Sequence, residues 1–197
     1  MNAVELLKKQ HREVDALVER FEKARRDDEK EAIFLELAAR LVAHDAIERE
    51  IFYPACERAL GKIEPLMEGI AEHGLIEFSI FRADKARGKH SFDYLVRVLA
   101  EMVKHHVEEE EAEVLPQIED AMDESRLARL GERLQERFDA SMSTTFRTPL
   151  RRNLEQVIGG RTKTTPPKRA AARATGRKRP MRGGKRPTVR AKKKEAR

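Results

Sequence analysis

A chain of 197 residues, 39% of them charged, allows one domain of ordinary size with additional segments. Tryptophan is absent, aromatic residues make up 5%, and the single cysteine, Cys56, cannot form an intramolecular disulfide. No apolar run approaches the roughly 20 residues that a bilayer-spanning helix needs, and the first residues lack the apolar core of a signal peptide. We therefore expect a cytoplasmic protein without a membrane span.

The net charge of +6 is the sum of two opposite parts. Residues 159–197 hold 16 of the 41 basic side chains and one of the 35 acidic ones, so this segment carries +15 and the remainder carries −9. The composition predicts an acidic folded part and a strongly basic tail.

Apolar residues recur at helical spacing through most of the acidic part. In chain order they predict helices near 2–26, 29–58, 63–86, 92–121 and 123–139. We expect an all-α fold in which the first four helices form an up-down bundle and the fifth, a C-terminal extra helix, packs on its outside. Pro54 is expected to kink or end the second helix, and Gly61 and Gly88 to close the second and third.

The predicted organisation has three parts. Residues 1–140 form the bundle with its accessory helix, 141–158 form a linker or short helix, and 159–197 form a disordered tail. The tail is rich in Lys, Arg, Ala, Pro and Thr and lacks aromatic residues, so it cannot bury enough apolar surface to offset its chain entropy.

Eight basic residues of the tail form three clusters, and the tail resembles those of linker histones and some bacterial nucleoid proteins. Such clusters bind phosphate backbones with release of counterions, and without aromatic residues they have little sequence preference. We therefore expect binding to DNA or RNA, with nucleoid association in a bacterial host. A solubilising tail and an anionic membrane surface are the alternatives. The cluster residues are Arg177, Lys178, Arg179, Lys185, Arg186, Lys192, Lys193 and Lys194.

One spacing recurs along the predicted bundle: a histidine followed four residues later by an acid. Residues four apart lie on the same face of a helix, so each pair can hold one ion or bridge two. The pairs are His11/Asp15, His44/Glu48, His73/Glu77 and His105/Glu109.

The pairs also belong to an internal repeat. His11 and His44 are 33 residues apart and His73 and His105 are 32 apart, and a proline follows His44 and His105 by ten or eleven residues. Two helical hairpins of this kind predict a four-helix bundle with pseudo-twofold symmetry, whose core commonly holds a dinuclear metal site.

Histidine and carboxylate together suit iron, manganese or zinc. Without metal, each lone histidine is an ordinary hydrogen-bonded core residue. Glu48 and Glu109 could instead pair with Arg40, Lys104 or a protonated histidine. His90 and His106 are expected to face solvent, and Cys56 is expected to be a small core residue.

A lone His followed by His-x-x-x-Glu, used twice on a four-helix bundle, resembles the hemerythrin-like (HHE cation-binding) domain over residues 1 to about 120. The resemblance implies a centre of two non-haem iron ions, with manganese or zinc less favoured. The nitrogen ligands would be His11, His44, His73 and His105. Glu48 and Glu109 would bridge the ions. Asp15 and Glu77 are extra ligands, acceptors that orient the histidines, or ordinary partly exposed acids.

Oxygen-carrying hemerythrins use a His-x-x-x-His step on the third helix, whereas this chain has His73 and Glu77 there. The resemblance therefore favours sensing or handling of oxygen, nitric oxide or iron, tethered to nucleic acid by the tail. One alternative is a di-iron oxidoreductase that dismutates peroxide or oxidises Fe(II) and so protects DNA. The other is an architectural DNA-binding protein whose bundle is only a scaffold.

Overall fold

The computed structural model describes residues 1–159, and the side chains up to residue 155. Four long helices follow one another: α1 (Ala3–Lys23); α2 (27–60), made of Asp27–Ile47, a π-helical turn Glu48–Phe52 and Tyr53–Leu60; α3 (Glu64–Ala86); and α4 (92–121), made of Phe92–Glu109, a π-helical turn Glu110–Val114 and Leu115–Ala121. Two shorter helices complete the described part: α5 (Glu124–Met142) and α6 (Arg147–Gly159).

The helices begin and end at residues suited to those positions. Asn2 caps α1 by accepting a hydrogen bond from the Glu5 amide while the Glu5 carboxylate accepts one from the Asn2 amide, both at 2.9 Å. Asp123 caps α5 in the same way through the Arg126 amide. Gly61 ends α2 with a φ of 78°, a left-handed conformation that glycine adopts without steric cost.

Two apolar clusters lie at opposite ends of the bundle and show how the helices run. We call the one around Phe34 and Leu99 the tip cluster and the one around Leu7 and Phe52 the base cluster. α1 and α3 pass from the base cluster to the tip cluster, and α2 and α4 pass from tip to base. The helices therefore alternate in direction, and the predicted all-α, up-down bundle is confirmed.

The two helices that follow the bundle each extend one cluster. α5 buries Leu130, Leu134 and Phe138 in the base cluster against α1 and α2, on the outside of the bundle as predicted. α6 packs on α3 and buries Leu150 and Leu154 in the tip cluster. The predicted disordered tail lies outside the described residues, apart from Gly159.

Pro54 does not end the second helix, because α2 continues to Leu60. A π-helical turn precedes Pro54, with the Tyr53 amide bonded to the Glu48 carbonyl. Pro54 then stands in the first turn of the segment that follows, where a proline's missing N–H is not needed. Pro116 follows the π-helical turn of α4 in the same way.

Within residues 1–159, no helix combines the length and the hydropathy that crossing a membrane requires.

Gly131 marks the closest approach of α5 to the start of α1. A Cβ added at Gly131 would lie 2.6 Å from the Met1 carbonyl oxygen and 2.8 Å from the Asn2 carbonyl carbon, and neither backbone atom can move independently. We expect Gly131→Ala to lower the free energy of unfolding by about 1–3 kcal/mol, measured by urea denaturation.

Gly74→Ala is the matched control, since Gly74 is also helical but a Cβ there meets no atom within 4 Å. Alanine has the higher helix propensity, so this variant should be as stable as the parent or more stable by up to about 1 kcal/mol. Equal effects of the two substitutions would show that the contact between α5 and α1 does not limit packing.

Candidate metal centre

Four buried histidines, one from each long helix, converge between the tip and base clusters. They are His11, His44, His73 and His106. The Nε2 atoms of His11 and His44 lie 3.3 Å apart, and those of His73 and His106 lie 2.9 Å apart. The histidines therefore form two pairs, each contributed by one helical hairpin.

Two buried glutamates complete the constellation. Glu48 lies between the pairs, with Oε1 at 3.0 Å from His44 Nε2 and Oε2 at 3.1 Å from His73 Nε2. Glu110 Oε2 lies 3.3 Å from His11 Nε2. Two potential cation sites share Glu48: one is formed with His11, His44 and Glu110, and the other with His73 and His106.

In each of these four histidines the second ring nitrogen, Nδ1, already has a hydrogen-bond partner. Because each Nδ1 faces a side-chain oxygen that only accepts, Nδ1 carries a proton and donates it. The acceptors are Glu111 for His11 (2.8 Å), Gln10 for His44 (2.8 Å), Asp45 for His73 (2.7 Å) and Glu72 for His106 (2.8 Å).

With their Nδ1 atoms protonated, the neutral histidines present unprotonated Nε2 atoms to one another. The facing Nε2 atoms and the Glu48 and Glu110 carboxylates are buried, and Glu48 Oε1 and both oxygens of Glu110 lack a hydrogen-bond donor. Buried lone pairs and carboxylates facing one another are unfavourable unless positive charge lies between them, as protons or as metal ions. The imidazole and carboxylate donors fit iron, manganese or zinc.

The pKa values of the buried histidines and glutamates show that the metal-free protein takes up positive charge here as a proton. Burial lowers the pKa of His73, but the hydrogen bonds and charges of Asp45 and Glu48 outweigh burial and raise the pKa to about 10. Burial and the charge of His73 lower the pKa of His106. Of the two facing Nε2 atoms, that of His73 therefore takes up the additional proton. Burial raises the pKa of Glu48, but the positive charges that His44 and His73 carry when protonated prevail and hold the pKa well below its usual range. A divalent cation thus competes with protons.

Tyr53 and Cys56 lie beside the centre as neutral groups. The Tyr53 hydroxyl is 3.0 Å from His73 Nε2 and 3.4 Å from Glu48 Oε2. Burial and the charge of Glu48 raise the pKa of Tyr53 well above its ordinary value. Burial also raises the pKa of the Cys56 thiol, followed by the charges of Glu110 and Glu48, and Cys56 is a core residue.

On α4 the structure places His106 and Glu110 in the buried cluster, one residue after the predicted His105 and Glu109. His106, expected to face solvent, is buried and joins His73, while His105 is 63% exposed and Glu109 is 41% exposed. The predicted buried face of this helix was one residue out of phase. The residues of the observed buried face are Phe92, Val96, Leu99, Val103, His106 and Glu110. Residues one position apart on a helix differ in direction by about 100°, so His105 points away from the bundle.

The spacing of the internal repeat distinguishes His106 from His105. His73 and His106 are separated by 33 residues, the same separation as His11 and His44, whereas His105 gives 32. His44 precedes Pro54 by ten residues and His106 precedes Pro116 by ten. The alignment without a gap also matches Glu48 with Glu110, each the first residue of a π-helical turn.

The two additional predicted ligands lie away from the cation sites. Asp15 is 45% exposed and pairs with Arg12. Glu77 is buried, where it accepts a hydrogen bond from Asn153 of α6 at 2.6 Å and lies 3.1 Å from Arg49. The eight basic residues of the tail clusters lie outside the described residues.

A small cavity of about 20 Å³ lies against the centre on the side of the tip cluster. Its walls include the four histidines, Glu77 and apolar side chains such as Val14, Ile80 and Val103. A space of roughly 10–15 Å³ is enough for one water molecule, so the cavity has room for a molecule of one or two heavy atoms.

Comparison with known proteins agrees with this geometry. The model of the family described as "Hemerythrin HHE cation binding domain" matches residues 2–118. A crystal structure of a hemerythrin HHE cation binding domain-containing protein from Mycobacterium kansasii, a Rv2633c homolog, superposes with a TM-score of 0.67 at 24% identity. The superposition covers 78% of this chain and 99% of the other, and it supports the fold alone. A search of curated protein sequences finds no match.

Glu77 provides a pH-dependent test of the electrostatics around the centre. Burial and the charge of Asp45 raise its pKa to about 7, although Asn153 and Arg49 oppose the shift. Between pH 4.5, the ordinary pKa of a glutamate, and pH 7, the folded protein keeps this group protonated while the unfolded chain does not. The free energy of unfolding therefore falls as the pH rises through this range. In metal-free protein, Glu77→Gln should become more stable than the parent over this pH range, by at most about 3 kcal/mol.

The measurement is thermal unfolding at several pH values with a chelator present. Glu57→Gln, which neutralises a half-exposed carboxylate, is the control and should differ from the parent by a constant amount. A stability difference for Glu77→Gln that does not change with pH would contradict the assignment.

Proposed function

Since the chain belongs to the hemerythrin HHE cation-binding family, we propose that it holds two non-haem iron ions between its four long helices and binds a small ligand there. Oxygen, nitric oxide and peroxide are the candidate ligands. The basic tail tethers this centre to DNA or RNA.

The observation that carries the proposal is the convergence of four Nε2 atoms on a shared carboxylate. His11 and His44 with Glu110 would hold one ion, His73 and His106 would hold the other, and Glu48 would contribute one oxygen to each. Three or four protein ligands at one ion leave room for an exogenous ligand, because these metals commonly take four to six.

Iron, when bound, supplies reversible one-electron chemistry and affinity for diatomic ligands. The protein's own groups fix the site around it. The Nδ1 hydrogen bonds orient the imidazole rings, and this kind of support typically changes metal affinity 10–100-fold. The apolar side of the cavity admits only a small molecule and limits the water that can approach the centre.

The tail part of the proposal rests on charge. Residues 159–197 carry +15, whereas the remainder of the chain carries −9, so the excess positive charge that attracts phosphates belongs to the tail. Sequence-independent binding would keep the centre close to nucleic acid without occupying any residue of the bundle.

The first test is metal content after anaerobic Fe(II) loading and removal of loosely bound ions. We expect about two irons per chain, and a change in the visible spectrum when nitric oxide is added. His106→Ala should lose at least one tightly bound iron, because His73 would have no partner nitrogen.

His105→Ala is the matched control, since it removes the neighbouring histidine but leaves the buried centre intact. It should retain two tightly bound irons and the response to nitric oxide. If His105→Ala loses iron while His106→Ala keeps it, the ligand assignment is wrong. Peroxide turnover by the loaded parent would favour the oxidoreductase alternative over a binding role.

A second test addresses the tail. Replacing the eight cluster residues by glutamine should weaken binding to duplex DNA of mixed sequence and leave iron content unchanged. The slope of log Kd against log salt should fall by roughly 0.9 for each phosphate that the tail no longer neutralises. Replacing eight Ala, Thr and Pro residues of the same segment by glutamine keeps the charge and should preserve the affinity. Unchanged affinity after removal of the basic clusters would exclude the tail as the nucleic-acid site.

A further inference from the structure

His105 and Glu109, which lie outside the buried centre, form a second constellation with Glu72 of α3. His105 Nε2 is 3.3 Å from Glu109 Oε1 and 3.6 Å from Glu72 Oε1. The three donor atoms all lie within 4.8 Å of one another, a spacing that one metal ion can bridge. His105 is exposed and Glu72 and Glu109 are partly buried, so the group opens to solvent through His105.

Glu72 belongs to both constellations. Its Oε2 accepts the hydrogen bond from Nδ1 of His106 at 2.8 Å, and its Oε1 faces His105. One carboxylate therefore separates a solvent-facing group of ligands from a histidine of the buried centre. An ion held by Glu72, His105 and Glu109 would lie one side chain away from the centre.

A narrow gap in the packing joins the two groups. A cavity of about 10 Å³, close to the size of one water molecule, is lined by Glu72, Glu109, His106, Glu110 and Gly69, among others. Glu110 is 1% exposed and neither of its oxygens has a hydrogen-bond donor, so an unpartnered carboxylate lies on the inner wall.

Gly69 helps to keep this gap open. A Cβ at Gly69 would lie 3.4 Å from the Tyr53 hydroxyl oxygen and 3.5 Å from His106 Cε1, so any larger side chain would fill the space between α3 and α4. The absence of a side chain at Gly69 leaves the gap beside the ligands unfilled.

We propose that Glu72, His105 and Glu109 form an accessory site for a divalent cation, through which ions enter the buried centre. One imidazole and two carboxylates suit Fe(II), Mn(II) or Zn(II). Exposure to solvent makes the site weaker than the buried one, as transfer requires.

The entry role rests on the proposed function, because it needs a buried centre to fill. The alternative is an ordinary surface ion pair in which a protonated His105 lies between two carboxylates. The two interpretations differ in the number of ions bound and in the rate of loading.

The experiment uses the full chain, stripped of metal and titrated anaerobically with Co(II), which reports its coordination in the visible spectrum. We expect two tight ions and one weaker ion per chain. Glu109→Gln should lose the weaker ion and keep the two tight ones, while Glu108→Gln, the neighbouring exposed glutamate, should keep all three.

Stopped-flow mixing with limiting Co(II) then measures loading of the buried centre. We expect His105→Ala and Glu109→Gln to load at least about tenfold more slowly than the parent, since the accessory site loses one of its three ligands. His90→Ala, which removes another exposed histidine, and Glu108→Gln should load at close to the parent rate.

A weaker ion that survives in Glu109→Gln overturns the site, and parent-like loading by both variants overturns its entry role. His90, His105 and Glu108 are exposed and the Glu109 side chain is 41% exposed, so circular dichroism should show the parent fold. Failure of the proposed function looks different: the parent would bind no tight ions, whatever happens at the surface group.

Discussion

The structure of the centre depends on a ring of hydrogen bonds that passes once around the bundle. Each long helix supplies the oxygen that holds the histidine of the next one: Gln10 of α1 for His44, Asp45 of α2 for His73, Glu72 of α3 for His106, and Glu111 of α4 for His11. Each ring is thereby fixed with its Nε2 atom toward the interior. The centre therefore requires all four helices in register, since displacement of one helix would release two histidines.

The two apolar clusters stabilise this register. The centre lies between them, so apolar side chains pack above and below the buried charges. Burial of Glu48 and Glu110 is unfavourable in itself, and the packing of the clusters must offset it when no cation is present. The π-helical turns begin at these two glutamates, where each inserts a wider turn into an otherwise regular helix. Such turns are frequent at functional sites because they redirect a side chain without ending the helix.

Most of the fold and about two thirds of the centre could be predicted from the sequence. Helical periodicity located the first five helices and left the sixth open as a linker or short helix. The positions of His11, His44, Glu48 and His73 in apolar stripes placed these residues inside. The error on α4 arose because His105-His106 and the run Glu108–Glu111 satisfy the four-residue spacing in two phases at once. Periodicity cannot choose between adjacent phases when both contain apolar neighbours, whereas the equal separations of the two hairpins can.

The oxygens of the ring were beyond this kind of prediction for another physical reason. Gln10 and Glu72 each precede a histidine of their own helix but serve the histidine of the next, so the partnership exists only once the helices pack. The repeat is also imperfect here. Asp45 immediately follows His44, whereas Glu111 follows His106 by five residues, which moves the acceptor one helical turn along the same face.

On α4 the His-x-x-x-Glu spacing occurs twice, one residue apart. His106 and Glu110 point into the bundle, and His105 and Glu109, one position earlier, point about 100° away, so one stretch of helix presents the same pair of ligands on two faces. Glu72 contacts both faces, because the carboxylate that orients His106 also lies within 3.6 Å of His105. Any positive charge gathered at the surface would weaken the pull of Glu72 on the Nδ1 proton of His106. The interior and the surface of this helix are therefore electrostatically linked through a single side chain, and the adjacent His-His pair in the sequence is the simplest sign of it.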